Sequence, residues 1–380
     1  MRYPGSIAAG LVLAVLAVQP AATSQDQALN LTPTEPLGLG VSFYQLDDPA
    51  HLGPDAPISA RLLEIQSRDA RLDVELGKDG TQGRDTVLSM AERRGALAAV
   101  NAGFFGTTGD PAGLFKINGL LVSDMARPRG AVAFTRPEGP PLIFDKVTAA
   151  ARLRAGRVTV PVTGIDTARG ARGVIVYTPR YGAGTRTTGD GIEWTLAGRP
   201  LRVTAIRKSE ASPIPAGGFV ISASGAIPDA LARLRVRDRV DVAFTYATSL
   251  GTSPAAWQRA DDIVSGAGLL IWRGRAVSDW TREQLSMQGF VNARHPRTLI
   301  GRDRDGDTWL VVVDGRRPGH SVGMSLPELT ALSRRLGLVD ALNLDGGGSS
   351  TMVVKGKVVN RPSDPLGPRP VSDAIVVLRK

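Results

Sequence analysis

The chain contains no cysteine. No disulfide framework, thiol nucleophile or Cys-ligated zinc site is therefore open to it, and its core must hold by burial alone. Aromatic residues are scarce, at 5%. The basic residues are scattered rather than set in a stripe with aromatics between them, which argues against nucleic acid as a partner. Long apolar runs are missing too. Only residues 7–18 come near one, and they fall short of the roughly 20 residues that a bilayer-spanning helix needs. No internal repeat at a fixed period appears.

The short apolar run has its own reading. Arg2 before it and Ala22-Thr23-Ser24 after it fit a secretory signal peptide over 1–24, cleaved after Ser24. No cysteine follows, so lipid anchoring at a lipobox is excluded. The expectation is a soluble, exported protein, periplasmic or secreted, with no stable membrane insertion after cleavage. Hydrophobic content of 42% and charged content of 22% are ordinary for a globular protein. The net charge of +10 suits attraction to a phosphate-bearing polymer or the cell envelope. An arginine-rich compositional bias would give the same balance.

Residues 25–57, rich in Pro, Gln, Thr and Gly, read as a linker-like N-terminal segment, with one domain over 58–380. Alternation predicts strands at 60–65 and 71–76. A helix follows, capped by Thr86, with Val87, Met90 and Ala91 as its apolar stripe and Gly95 as its stop. Strand 96–100 then delivers Asn101, and Asn118-Gly119 marks a hairpin. The middle region, 148–279, reads as many short strands, among them 173–177, 201–206, 218–222 and 240–246, with one helix at 229–234. Strand 309–313 ends at Asp314-Gly315-Arg316. After it, Ser325 and Glu328 form a capping box, Leu326, Leu329, Leu332 and Leu336 form a stripe, and Gly337 ends the helix. That helix returns the chain to the strand carrying Asp345. The expected fold is α+β: a β-rich mixed sheet with a few packed helices. Asn101, Asp314 and Asp345 would be polar corners on that sheet, with Asp314 and Asp345 at one edge if their strands are parallel neighbours.

The most informative stretch is Asn343-Leu344-Asp345-Gly346-Gly347-Gly348-Ser349-Ser350-Thr351. Three glycines between short apolar strands leave backbone N–H groups bare for a ligand oxygen beside one carboxylate. Alone, the run would equally serve as a flexible hairpin capped by its own Asp and Ser. Four other motifs accompany it in order: Asn101-Ala102-Gly103-Phe104-Phe105, Arg294-His295-Pro296-Arg297-Thr298-Leu299-Ile300-Gly301, Asp314-Gly315-Arg316 and Asn360-Arg361-Pro362-Ser363-Asp364. Together they resemble the phosphodiester glycosidase family over about residues 96–378. Five motifs in one order are far more specific than one. The resemblance implies cleavage between a sugar anomeric carbon and a phosphate oxygen.

Glycoside hydrolysis ordinarily needs two carboxyl groups. A phosphate leaving group is already a stable anion and needs little protonation, so one carboxylate with cationic and N–H donors suffices. On this reading Asp345 is nucleophile or base, and Arg297 and the N–H groups of Gly346, Gly347, Gly348 and Ser349 hold the phosphate. Asp314 is the second acid or an orienting group, and Asn101 completes the catalytic set. Ser350, His295, Thr298 and Arg316 are candidate substrate contacts. Each has a plainer alternative. Asp314 would bind a turn amide or pair with Arg316, Asn101 would close its own loop, and His295 would only position substrate. Phe104 and Phe105 would stack on a sugar or pack in the core.

No cofactor is required. A divalent cation on Asp345, Asp314 and Asn101 stays open. Asp303-Arg304-Asp305-Gly306-Asp307 lacks the downstream glutamate of a calcium loop and reads as a hairpin turn. Neither G-x-S-x-G nor a placed His supports a serine nucleophile. The substrate expected is a glycosyl-phosphate polymer or oligosaccharide. A noncatalytic glycan-binding or polysaccharide-assembly protein, and a phosphodiesterase that breaks the P–O bond, are the competing classes.

Overall fold

The computed structural model describes residues 28–48, 56–66, 69–135 and 142–380, so the expected signal peptide lies outside the described residues. Strand accounts for 45% and helix for 11%, and the strands form four sheets. The largest has eight strands, in the order Glu35–Gly38, Val41–Asp48, Ile58–Ile65, Thr308–Val313, Arg297–Asp303, Leu338–Asn343, Leu269–Trp272 and Arg275–Ala276. A second sheet runs Lys357–Val358, Met352–Val354, Ala98–Asn101, Asp373–Arg379 and Ala70–Leu76.

The Thr308–Val313 strand shows why these residues form a sheet buried on both faces. Side chains alternate across a strand. Leu310 and Val312 point into a core shared with Val100, Met352, Ile375 and Val377 of the second sheet. Trp309, Val311 and Val313 point the other way, onto Leu326, Leu329 and Leu332 of the Leu326–Arg335 helix. Both faces are covered, so the strand is apolar throughout. The helix is the expected one, with its Ser325–Glu328 capping box formed and Gly337 at φ +76°. Each of its three fully buried leucines contributes roughly 1.5–3 kcal/mol relative to exposure. On the outer face of the second sheet, Val87, Met90 and Ala91 of the Val87–Arg93 helix pack against Ala99, Val353 and Val376. Helix, sheet, sheet and helix thus stack in layers.

The middle region divides. Its first and last strands belong to a seven-stranded sheet and to the central sheet. Residues 164–208 and 219–224 build a five-stranded sheet with its own core around Trp194, Leu196, Val203 and Ile221.

Three expectations are corrected. Residues 35–48 are not linker: they form two edge strands of the central sheet, because Val41 and Phe43 alternate into the core. The two sheets that build the site are antiparallel throughout rather than mixed. And the polar corners come from two sheets, since Asn101 ends a strand of the second. The strands preceding Asp314 and Asp345 are not neighbours; Arg297–Asp303 lies between them, antiparallel to both. That order still brings them to one edge. With Arg297 opposite Val313 and Leu299 opposite Asn343, the end of each outer strand and the start of the central one coincide. The 343–351 run then crosses from the first sheet to the second, where Met352 pairs with Val100.

Candidate active site

A cleft of about 330 Å³ opens at this edge, with Phe104, Phe290, Arg297, Arg316, Asp345 and Arg369 in its wall. Asp345 is its only carboxylate among the described residues. The Asp345 backbone is fastened at both ends: its N–H donates to the Ala102 carbonyl at 2.9 Å, and its own carbonyl accepts from Asn101 Nδ2 at 2.7 Å. Burial pushes its carboxyl up to about 6 from the usual 3.8. The nearby Asp373 charge adds to that rise, while Ser349, the Gly346 N–H and Arg369 oppose it.

Arg297 is 1% exposed. Its Nε donates to the Met324 carbonyl at 2.8 Å, and its Nη2 to the carbonyls of Phe290 at 2.6 Å and Ala293 at 3.1 Å. The guanidinium lies 4.8 Å from the Phe290 ring centroid. Its Nη1 has no hydrogen bond, and no carboxylate pairs with it, among the described residues. Burial, with the like charge of Arg316, lowers its pKa to about 10. A buried guanidinium that no carboxylate pairs with, among the described residues, can accept an anionic ligand. Arg316, at φ +58°, is the second cation. Its Nη2 lies 3.1 Å from His295 Nδ1, and His295 Nε2 lies 2.9 Å from the Gly289 carbonyl. Since that carbonyl can only accept, Nε2 carries the proton and Nδ1 accepts from Arg316. His295 therefore steers an arginine.

The glycines differ from expectation. Gly346 N–H donates to its own neighbour Asp345 Oδ1 at 2.8 Å. Those of Gly347, Ser349 and Ser350 donate to Pro296, Gly346 and Gly347 carbonyls. Of the expected amide cradle only Gly348 N–H has no partner among the described residues. The glycines serve close approach instead. A Cβ on Gly348 would stand 2.1 Å from Asp364 Oδ1 and 2.3 Å from Arg369 Nη2, a paired carboxylate and guanidinium whose Nε–Oδ2 distance is 2.7 Å. Gly348→Ala is accordingly expected to displace that partly exposed pair, lowering stability by no more than about 1 kcal/mol in urea unfolding.

Several expected residues lie outside the cleft wall. Asp314 is 2% exposed, and its carboxylate accepts from Asn360 Nδ2 at 2.9 Å and the Arg361 N–H at 3.0 Å, with His320 Nε2 at 2.9 Å. It ties the 360–361 loop to the sheet edge. Asn101 Oδ1 accepts from Thr298 Oγ1 at 2.7 Å and the Thr351 N–H at 3.1 Å, so Asn101 and Thr298 set the backbone of Asp345 rather than face a ligand. Ser350 is buried beside Thr298, and Ser349 is fully buried. The oxygens of Asp314 and Asn101 that the sequence offered to a cation accept hydrogen bonds from protein groups here. Phe104 lines the cleft with its ring 6.2 Å from that of Phe290, whereas Phe105 packs on the helix side. The Asp303 loop is the expected hairpin turn: Asp303 Oδ1 accepts from the N–H groups of Asp305 and Asp307. Glu64 lies close to Asp303 and Asp307 of that turn, at the far end of the strand from the cleft.

Residues that sequence reasoning missed are Phe290, Arg369 and Asp373. Phe290 sits in a π-helical turn, Met287–Val291, which no simple periodicity marks. Asp373 is an acid opening a strand, Asp373–Arg379, whose next five residues are apolar, and that oddity was its available signal.

Comparison with known proteins places part of the chain in a wider set. Residues 198–378 match the family model described as phosphodiester glycosidase. N-acetylglucosamine-1-phosphodiester alpha-N-acetylglucosaminidase of Mus musculus is 36% identical over 103 residues, 27% of this chain and 20% of that protein. The Homo sapiens protein of the same name is 41% identical over 86 residues, 23% of this chain and 16% of that protein. The matches thus span a fifth or less of these relatives' length. A hypothetical protein from Synechocystis has a solved structure with TM-score 0.75 and 25% identity, covering 90% of this chain and 62% of that one.

Proposed function

We propose, from the premise that this chain belongs to the phosphodiester glycosidase family, that it is an exported hydrolase cleaving the bond between sugar C1 and the phosphate oxygen in a glycosyl phosphodiester of envelope or extracellular polysaccharide. The observation that carries the reading is Arg297: a buried guanidinium with an unpartnered Nη1, in the same cleft as Arg316 and Asp345. A phosphodiester brings one negative charge, and the departing monoester gains more. Fixed cations that meet the growing charge lower the barrier more than they favour the ground state.

Asp345 acts on the sugar side as nucleophile or general base. Its elevated pKa keeps it ionised above about pH 6 while making it a stronger base than an ordinary aspartate. The leaving phosphate needs no proton, which is consistent with a cleft that holds one carboxylate. Phe104 and Phe290 offer an apolar wall for a sugar face. The N-terminal run 7–18 supports export, and no helix among the described residues is long and apolar enough to cross a membrane.

The same single carboxylate also suits a protein that binds glycosyl phosphates without turning them over. Purified protein incubated with a panel of sugar-1-phosphodiesters separates the two. Released phosphate monoester supports the hydrolase; saturable binding with no release across the panel refutes it.

A further inference from the structure

The positive charge of the chain is not spread evenly over the fold. Residues 148–248 hold 15 Lys and Arg against 7 Asp and Glu, which accounts for +8 of the net +10. Part of that charge gathers at one end of a two-stranded ribbon. Strand Ile143–Ala155 pairs with Val240–Thr248 so that Ala155 lies opposite Val240, and it turns back through Gly156 and Arg157 into Val158–Pro161, where Val158 also faces Ala155. The 156–157 turn and the 235–239 turn therefore leave the same end of the ribbon. A hollow of about 340 Å³ between them is lined by Arg154, Gly156, Arg239 and Asp241.

The backbone of the second turn is fixed. Arg237, at φ +81°, donates its N–H to the Val203 carbonyl at 2.8 Å, and the Val203 N–H donates to the Asp238 carbonyl at 2.9 Å. Arg202 Nη1 donates to the Arg237 carbonyl at 2.9 Å. The two acids beside it are engaged locally: Asp238 Oδ2 accepts the Arg235 N–H at 2.8 Å, and Asp241 pairs with Arg239 at 3.0 Å. Arg154, Arg157, Arg235 and Arg237 are exposed and have no carboxylate partner among the described residues. Next to these cations each turn exposes one valine, Val158 at 51% and Val236 at 53%. Five large hydrophobic side chains are exposed among the described residues, and two of them sit on these adjoining turns.

We propose that this end of the ribbon docks reversibly on an anionic lipid surface, with Arg157, Arg235 and Arg237 at the headgroup phosphates and Val158 and Val236 in the headgroup layer. Guanidinium groups are drawn to a negatively charged leaflet within a Debye length, and apolar side chains add affinity only where there is an apolar boundary to enter. A soluble phosphate polymer would engage the cations and leave the valines idle. Nucleic acid would need aromatic side chains to stack on its bases, and the exposed apolar groups on these turns are aliphatic. Guanidinium and valine side by side on fixed turns therefore select a lipid surface. The contact involves no residue of the Asp345 cleft, and it does not depend on the reaction proposed there.

Sedimentation of the full chain with vesicles tests the assignment without any turnover. Vesicles of equal parts phosphatidylglycerol and phosphatidylcholine are expected to retain the protein, and vesicles of phosphatidylcholine alone to bind it about tenfold more weakly or less; equal binding to both overturns the proposal. The triple variant Arg157→Gln/Arg235→Gln/Arg237→Gln should weaken binding to the anionic vesicles about tenfold or more, and Val158→Ser/Val236→Ser several-fold, each with the Tm of the wild type. Unchanged binding in both variants overturns the proposal, and is the outcome expected if the apolar run 7–18 makes the contact instead. Loss confined to the arginine variant, or tighter binding of the wild type to single-stranded DNA than to the anionic vesicles, assigns the surface to a soluble polyanion and overturns the lipid assignment. Loss confined to the valine variant removes the role of charge and overturns it as well. Should the arginine variant fail to fold, binding of the wild type is read between about 50 and 200 mM salt, where a steep fall supports the proposal and an unchanged affinity overturns it.

Discussion

Asp345→Asn is expected to reduce kcat by about 10³-fold or more while leaving phosphate binding intact. The substitution keeps the shape and the Oδ1 acceptor for the Gly346 N–H, and the backbone clasp from Asn101 and Ala102 does not involve the side chain. What disappears is the negative oxygen. Stability should move the opposite way from activity. The folded-state pKa, about 6 against 3.8, lies above the ordinary value, so this group's stabilising contribution is complete below the ordinary carboxylate range. It is lost as pH rises through about 6. Above that, the wild type carries a poorly solvated charge that Asn lacks. The variant should be the more stable by on the order of 2 kcal/mol near pH 8 and no more stable near pH 3, as read by denaturant unfolding at the two pH values.

Arg297→Lys is expected to lose both binding and stability, with kcat/KM down about 10²-fold. Three backbone carbonyls, on Phe290, Ala293 and Met324, take their hydrogen bonds from one planar fork. A lysine ammonium cannot reach all three and still present a donor to the cleft. At least one buried carbonyl would be left bare, at about 1–3 kcal/mol. Two of those carbonyls, on Phe290 and Ala293, lie in and just after the π-helical turn that carries Phe290, so the cleft wall should loosen with the anion site. Inorganic phosphate should raise the Tm of the wild type by mass action and have little effect on this variant. A phosphate-dependent rise of equal size in both would show that the anion sits elsewhere.

Much of the fold was legible because the apolar periods were clean. The Thr86 cap, the Ser325–Glu328 box, the Asn118-Gly119 hairpin and the turn at Asp303 are all realised by local chemistry that tertiary structure had no reason to override. The two strands at 35–48 were missed because Pro, Gly and Thr around them masked a short alternation. In the site, Asp345 could be picked out as an acid at a strand end, and Arg297 as a cation through the motif it shares with the resembled family. Partner choice could not. Whether an aspartate faces a ligand or a loop amide depends on which segment crosses above it, and the 360–361 loop that occupies Asp314 comes from 46 residues further along the chain. The same limit applied to the glycines, whose N–H groups look free in a sequence and are mostly engaged in the fold.

The central claim is that the phosphate stays with the arginines while attack occurs at the sugar carbon beside Asp345. Hydrolysis of a sugar-1-phosphodiester in oxygen-18 water tests this directly. The account predicts label on the sugar hydroxyl and none on the released phosphate monoester; label on the phosphate would mean P–O cleavage and contradict it.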